Sequence, residues 1–111
     1  MLGFRRRSKK AVLTLKEISE RIGPVAREYN FRKVCVFGDY GRGEAHHLSH
    51  VGLYVVPGYV IGAAIGSFYL EAVDALSKEV DIAMEGCDPR YYDRIKDSLV
   101  CVYDRDQNGP R

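Results

Sequence analysis

Residues 34–56 read VCVFGDYGRGEAHHLSHVGLYVV, and this stretch decides the fold of the chain. It holds a short apolar segment, a glycine-rich turn with one arginine, and a second apolar segment, which predicts two strands joined by a loop. Three glycines, Gly38, Gly41 and Gly43, leave backbone N–H groups free to face an anion, and Arg42 adds a positive charge at the same place. These residues therefore indicate a phosphate-binding loop.

On both sides of this stretch, helical and strand patterns alternate along the chain. The apolar spacing predicts helices over 14–29, 59–78 and 88–97, strands over 34–37, 51–56, 80–84 and 100–103, and a helical turn around 40–43. Thr14 and Glu17 have the spacing of a capping box, and Asp88 before Pro89 is typical of a second helix start. The order α-β-(loop)-β-α-β-α-β predicts an α/β (α+β) protein in which helices flank a small mixed β-sheet.

Length and composition fit one small domain. The chain has 111 residues, of which 46% are hydrophobic and 29% charged, a composition typical of globular proteins. We expect the domain to cover 13–104, with a flexible basic tail over 1–12 and a disordered tail over 105–111. No apolar run approaches the roughly 20 residues that span a bilayer, and no apolar core of a secretion signal follows the start. These features predict a cytoplasmic protein that does not enter a membrane.

The charge distribution indicates which partners the chain can bind, and the cysteine content indicates the redox state of its compartment. Five of the 17 basic residues lie in residues 5–10, which leaves 12 basic residues against 15 acidic ones in the remaining chain. This net negative charge argues against a dedicated nucleic-acid-binding face, although the basic tail could touch an anionic surface. The odd number of cysteines favours a reducing cytoplasm, and Cys35 and Cys101 lie in apolar runs where a thiol packs as a small hydrophobe.

Three segments together resemble a known family: FGDYGRG at 37–43, SHVGL at 49–53 and VDIA at 80–83. They are similar to the minimal nucleotidyltransferase domains of the polymerase-beta-like superfamily. In that family a strand ends in Phe-Gly-Ser, x-Ala-Arg-Gly follows, the next strand begins with Ser-Asp-x-Asp-Leu, and a later strand carries a third Asp. The likeness extends from about residue 15 to residue 103 and includes the loop length and the helix before the third Asp.

The resemblance implies transfer of a nucleoside monophosphate from a nucleoside triphosphate, usually ATP, to an acceptor group. Such chemistry uses two Mg²⁺ ions that carboxylates hold against the reacting phosphate. Carried over to this chain, the resemblance implies a nucleotide site around the loop residues Gly38, Asp39, Arg42 and Gly43, with Ser49 at the end of the loop.

At three positions the chain departs from the family pattern. Asp39 stands where the family has a serine, and it places a negative charge near the triphosphate. His50 and Gly52 stand where the family has its two metal-binding aspartates, so that Asp81 is the remaining carboxylate. Because Mg²⁺ requires oxygen ligands in near-octahedral geometry, Asp81 alone forms an incomplete metal site. We expect a degenerate catalytic site and impaired AMP transfer.

The resemblance also implies a protein partner. Small domains of this type are often paired with a helical HEPN-type protein in prokaryotic toxin–antitoxin modules, and a domain of this size can also complete its surface as a homo-oligomer. Two alternatives stay open. One is an active Mg²⁺-dependent nucleotidyltransferase with an altered metal site, to which Asp39 lends a carboxylate. The other is an ATP-binding sensor without turnover.

Several side chains near the loop have both a functional and a structural interpretation. His46, His47 and His50 could bind a metal, but their spacing matches no recognised ligand pattern. This favours two exposed loop histidines and one histidine on a half-buried strand. Arg42 could neutralise a phosphate or pair with Glu44, Asp39 or Asp81, and without metals an ion pair with Asp81 is the favoured alternative.

Overall fold

The computed structural model of the protein describes residues 12–59 and 61–108. The predicted basic tail lies outside these residues except for Val12, as do residues 109–111 of the predicted C-terminal tail. The elements are, in chain order, α1 (Leu15–Glu28), β1 (Lys33–Phe37), α2 (Asp39–Arg42), β2 (Val51–Val56), α3 (Ala64–Leu76), β3 (Val80–Met84), α4 (Pro89–Ile95), a 3-10 turn (Lys96–Ser98), β4 (Val100–Asp104) and α5 (Arg105–Asn108).

The four strands form one mixed sheet in the order β3-β2-β1-β4. β1 runs antiparallel to both β2 and β4, whereas β2 and β3 are parallel. Two parallel neighbours need a crossover connection, and α3 provides it between β2 and β3. The predicted fold class, a small mixed sheet flanked by helices, is confirmed.

One face of the sheet carries most of the hydrophobic core. Side chains of α1 and α3, among them Ile22 and Phe68, pack against strand residues such as Val36 and Leu53, and all four are fully buried. Burial of each such side chain stabilises the fold by about 1.5–3 kcal/mol. The core is therefore a helix-on-sheet layer built from the faces that the apolar spacing predicts.

The opposite face of the sheet is covered by α4. There Phe37 and Ala83 pack against Ile95, and Tyr54 and Tyr91 border this second cluster. Part of this face is not covered by α4, and an open cleft lies there beside the loop that follows β1. The candidate site lies in this cleft.

The starts of α1 and α4 form as predicted. The Thr14 hydroxyl accepts a hydrogen bond from the Glu17 backbone N–H, and the Glu17 carboxylate accepts one from the Thr14 N–H, which completes the capping box. Asp88 caps α4 by accepting from the backbone N–H of Arg90, with Pro89 at the first helical position.

Most element boundaries lie within two residues of the prediction, and two differences are larger. α3 begins at Ala64 rather than at 59, because Gly62 adopts a left-handed conformation (φ +52°) that an α-helix does not contain. Residues 105–108, predicted to be disordered, form the helical turn α5. The first residue of α5 is Arg105. Its backbone N–H donates a hydrogen bond to the Arg32 carbonyl at 2.9 Å, and its Nη1 donates one to Asn30 Oδ1 at 3.1 Å. These bonds extend the ordered domain past residue 104.

The two strand cysteines differ in burial. Cys35 on the central strand β1 is buried, as predicted, whereas the prediction that Cys101 packs as a buried hydrophobe is wrong because its side chain is exposed. β4 is an edge strand and has a neighbour on one side only, so the Cys101 side chain lacks a second cross-strand contact.

Tyr29 on the helix side of the core has a raised pKa. Its ring packs against Phe31 and Phe68, and its hydroxyl donates a hydrogen bond to Glu71 Oε2 at 2.6 Å. This bond and, to a lesser extent, burial raise the pKa of Tyr29 from 10.0 to about 12. Since the folded-state pKa lies above that of the unfolded chain, the contribution to stability is present below pH 10 and is lost as pH rises through about 12.

We expect Glu71→Gln to lower the pKa of Tyr29 toward its ordinary value, because the amide accepts a weaker hydrogen bond than the carboxylate. The measurement is the tyrosinate absorbance as a function of pH, with Tyr29→Phe identifying the Tyr29 component. An unchanged high-pH component in Glu71→Gln would show that burial alone sets this pKa.

Candidate functional site

The loop after β1 begins with a glycine in a conformation that other residues avoid. Gly38 has φ +79° and ψ −146°, and Gly43 at the end of α2 is left-handed with φ +75°. The Gly38 N–H donates to Ser98 Oγ at 2.9 Å. The expectation that this N–H is free to face an anion is therefore wrong for the conformation seen here.

Gly41 has a different requirement from its two neighbours. A Cβ at this position would lie 1.9 Å from the Ser98 carbonyl oxygen and 3.0 Å from that of Val36. α2 thus packs backbone to backbone against the 3-10 turn, and Gly41 serves this close approach rather than a ligand.

The carboxylate of Asp39 is the centre of the loop's polar contacts. It accepts hydrogen bonds from Ser49 Oγ and from Arg42 Nη2, both at 2.8 Å, and His46 Nε2 lies 3.7 Å away. The Ser49 hydrogen bond, supported by the Arg42 charge, holds the pKa of Asp39 below its ordinary value. A fixed negative charge thus stands beside the arginine that the resemblance assigns to the phosphates.

Arg42 pairs with two carboxylates of its own loop. Besides Asp39, it contacts Glu44 Oε1 from Nε at 3.1 Å. The predicted ion pair between Arg42 and Asp81 is wrong, because Asp81 has another partner.

That partner is His50. Its Nδ1 lies 3.2 and 3.3 Å from the two carboxylate oxygens of Asp81, and both side chains are about half exposed. The parallel register places Gly52 beside Asp81, so His50 at the entrance of β2 comes next to β3. The prediction that His50 lies on a half-buried strand is wrong, since the residue is exposed and precedes β2.

At Gly52, the second position that departs from the family's aspartates, an aromatic ring leaves no room for a side chain. A Cβ at Gly52 would lie 2.6–2.8 Å from three ring atoms of Phe37, closer than real contacts allow. Phe37 is paired with Gly52 across β1 and β2, is buried, and meets Tyr91 edge to face at 6.2 Å. The ring fills the space next to the backbone where the family carries an aspartate.

These residues border one open cleft of about 240 Å³. Its lining consists of Phe37, Gly38, Asp39, Arg42, His50, Gly52 and Asp81. The cleft brings together most of the predicted site residues. Gly43 and Ser49 do not line it, although Ser49 reaches it through its bond to Asp39.

The donor set of the cleft does not fit Mg²⁺. Among the described residues, no group of three or more His, Cys, Asp or Glu side chains is arranged to hold a metal ion. The three-histidine hypothesis fails for the same reason: His46 and His47 meet ring to ring at 6.2 Å, while His50 is bonded to Asp81. Asp81 is paired with the His50 imidazole, and the second carboxylate of the cleft, Asp39, is bonded to Arg42 and Ser49, so these groups do not supply the oxygen cage that two magnesium ions require.

Two residues of the site were not foreseen. Ser98 links the loop to the end of α4, since its hydroxyl accepts from Gly38 and donates to the Ile95 carbonyl. Nothing in the sequence around Ser98 marks this contact. The position of Phe37 over Gly52, in contrast, follows once the two strands are paired in register.

No helix of the described residues has the length and apolar character needed to cross a membrane.

Comparison with solved structures gives three likenesses. A toxin-antitoxin crystallised with AMP-PNP matches with a TM-score of 0.67 and 16% identity, over 81% of this chain and 76% of that chain. A mutant of the toxin-antitoxin MntA-HpeT, with two aspartates separated by one residue changed to glutamate, matches with a TM-score of 0.66 and 16% identity, again over 81% and 76%. A protein from Sulfolobus solfataricus, described as a candidate nucleotidyltransferase, matches with a TM-score of 0.54 and 22% identity, over 85% of this chain and 83% of that chain.

No protein-family model and no curated protein matches the sequence. At the identities found for the solved structures, the likeness shows the fold, and it agrees with the resemblance of residues 37–83 to the minimal nucleotidyltransferases. The chain is therefore a nucleotidyltransferase-fold protein.

Proposed function

We propose that this chain is a catalytically impaired member of the minimal nucleotidyltransferases that acts by binding a protein partner. The carrying observation is the state of the metal site, where His50 pairs with Asp81 and the Phe37 ring occupies the space beside Gly52. Losing two preorganised metal ligands removes the charge stabilisation on which phosphoryl transfer depends.

The two toxin-antitoxin neighbours support a role in such a pair. One of them was crystallised with AMP-PNP, and the other was altered at two aspartates that have a single residue between them. His50 and Gly52 have that same separation in this chain. We infer that this chain has the scaffold of such a protein and binds a partner of the same kind, a HEPN-type protein in the cytoplasm.

Exposed apolar side chains provide a surface for this partner or for a second copy. Leu70 on α3 is 67% exposed and its neighbour Tyr69 is 36% exposed. Leu48 in the loop before β2 is 72% exposed. Tyrosine is common at the centre of protein interfaces, and we propose Tyr69 with its neighbour Leu70 as contacts of this one.

Three measurements test this function. We expect no binding of ATP with Mg²⁺ in calorimetry, no transfer of labelled AMP, and a stable complex when the chain is co-expressed with the product of the neighbouring gene. Labelled AMP on that product would establish the active alternative. Magnesium-dependent ATP binding without transfer would establish the sensor.

The variant Leu70→Asp should weaken the complex at least tenfold without changing the thermal unfolding of the isolated chain, because the side chain is exposed. Lys16→Asp, at an exposed position on α1, is the matched control and should leave the complex intact. If wild type and Leu70→Asp bound the partner with equal affinity, the interface would not include Leu70 on α3.

Replacing Asp39 by the family serine is expected to allow ATP to bind weakly in the absence of magnesium. The change removes the negative charge beside Arg42 and the acceptor of the Ser49 hydroxyl, and we expect an affinity at least about tenfold above the detection limit that the wild type does not reach. Calorimetry at low salt measures it. Asp93→Ser removes one exposed carboxylate on α4 and controls for the change in net charge. The same gain in both variants would mean that net charge, not the loop, governs ATP binding.

A further inference from the structure

Two cysteines face each other across a strand pair remote from the polar contacts of the loop. Cys35 on β1 and Cys101 on β4 are partners in the antiparallel register, next to a register shift between Val34 and Cys35 at which Val102 has no partner. Opposite residues place their side chains on the same face of the sheet, with Cα atoms about 4.5–5.5 Å apart. Disulfides join Cα atoms at about 4.4–6.8 Å. A paired position of this kind falls within the range that a disulfide spans, and the two thiols lie close enough for Cys101 to affect the pKa of Cys35.

The two thiols differ in how easily a reagent reaches them. Cys35 is 7% exposed on the central strand, whereas Cys101 is exposed on the edge strand. The Cys101 thiol donates a weak hydrogen bond to the Tyr103 carbonyl at 3.4 Å. One thiol is therefore placed to meet an oxidant and the other to complete an internal bond.

We propose that Cys35 and Cys101 form a reversible oxidation site, in which a low-molecular-weight disulfide such as oxidised glutathione converts the two thiols into one intramolecular disulfide. This proposal does not depend on the proposed function.

The reaction takes two exchange steps. The Cys101 thiolate attacks one sulfur of oxidised glutathione, and the first glutathione leaves as a thiolate while Cys101 becomes a mixed disulfide. Cys35 then loses its proton to solvent and attacks Cys101 Sγ, which releases the second glutathione. In total, two protein thiols are oxidised and one glutathione disulfide is reduced to two glutathione molecules.

The second step is the slow one. In the reduced protein, burial and next the nearby Cys101 raise the pKa of the Cys35 thiol to about 11. Burial, the larger cause, persists after Cys101 has reacted, so the pKa of Cys35 stays raised and little thiolate is present at neutral pH. The rate of closure should therefore rise with pH as the thiolate fraction of Cys35 increases. The resulting bond links the edge strand β4 to the strand that leads into the Phe37–Gly38 turn.

The test treats the reduced full chain with oxidised glutathione, alkylates the remaining thiols and measures the intact mass. We expect a species that is lighter by two hydrogen atoms and has one alkylated cysteine, Cys87. Closing the long loop between Cys35 and Cys101 should raise the melting temperature by roughly 10 °C. Adding a dithiol reductant should restore three alkylatable thiols.

Variants and peptide mapping decide between the pairs of thiols. Cys87→Ser should still form the bond, while Cys35→Ala should stop at a glutathione adduct on Cys101. Peptide mapping of the oxidised wild type should recover Cys35 joined to Cys101, which does not require any variant to fold. A bond that contains Cys87, a dimer joined through Cys101, or a persistent glutathione adduct on the wild type would each overturn the proposal.

Discussion

The double variant His50→Asp/Gly52→Asp, which carries both aspartates of the family, is expected to remain inactive in AMP transfer and to lose about 3 kcal/mol of stability. A side chain at position 52 would overlap the Phe37 ring, and overpacking of a filled site costs about 1–3 kcal/mol. Desolvation of the new carboxylate adds to this, because the position is buried. Urea unfolding and transfer of labelled AMP to the co-expressed neighbouring protein are the measurements.

The single variant His50→Asp is the matched control. Position 50 is exposed, so this change should cost less than about 1 kcal/mol even though the new carboxylate would face Asp81. A small loss for His50→Asp and a large one for the double variant would assign the effect to position 52.

The role of the Phe37 ring can be measured with a double-mutant cycle. Gly52→Asp should cost at least about 1 kcal/mol less in a Phe37→Ala background than in the wild type, because the ring that it would strike is gone. Equal costs in both backgrounds would mean that the ring moves aside freely. In that case the inactivity of the restored site would have to come from Asp39.

Gly41→Ala is expected to destabilise the protein by about 3 kcal/mol or more, although alanine is the family's residue at this position. The new methyl group would meet the carbonyl oxygens of Ser98 and Val36, and both belong to the backbone. Neither can rotate away as a side chain would. The expected readout is a lower melting temperature, or failure to fold, in thermal and urea unfolding.

The control for this variant is Gly66→Ala on α3. A Cβ there meets nothing within 4 Å, and alanine favours a helix by about 1 kcal/mol over glycine, so this change should stabilise the protein. If Gly41→Ala were as stable as the wild type, α2 would be able to shift away from the 3-10 turn.

The strands and the starts of α1 and α4 could be predicted because their causes are local. β2 and β3 have the predicted bounds, since each is an apolar run that ends at residues unsuited to a strand. The start of α3 could not be placed, because the apolar spacing continues through Gly62 and does not reveal its left-handed backbone. Likewise, the apolar run around Cys101 does not reveal that β4 is an edge strand.

The residues of the site were identified from the sequence, but their partners were not. The motif marks Asp39, His50, Gly52 and Asp81 by position, and the cleft does contain them. Which carboxylate pairs with Arg42 depends on how the loop folds back on Ser49. The bond from Ser49 to Asp39 spans ten residues and arises from three-dimensional packing, whereas Asp39 and Arg42 have the i,i+3 spacing of neighbours on a helix.

The bond between Gly38 and Ser98 joins residues that are 60 positions apart. On the ribosome, the loop after β1 emerges long before the serine that holds its first N–H, so it cannot reach its final form until the α4 region has been synthesised. Contacts of such long sequence separation also slow folding, because the chain must close a large loop before they form. A partner that recognises this loop would therefore bind after the sheet has been assembled and would not capture the nascent N-terminal half.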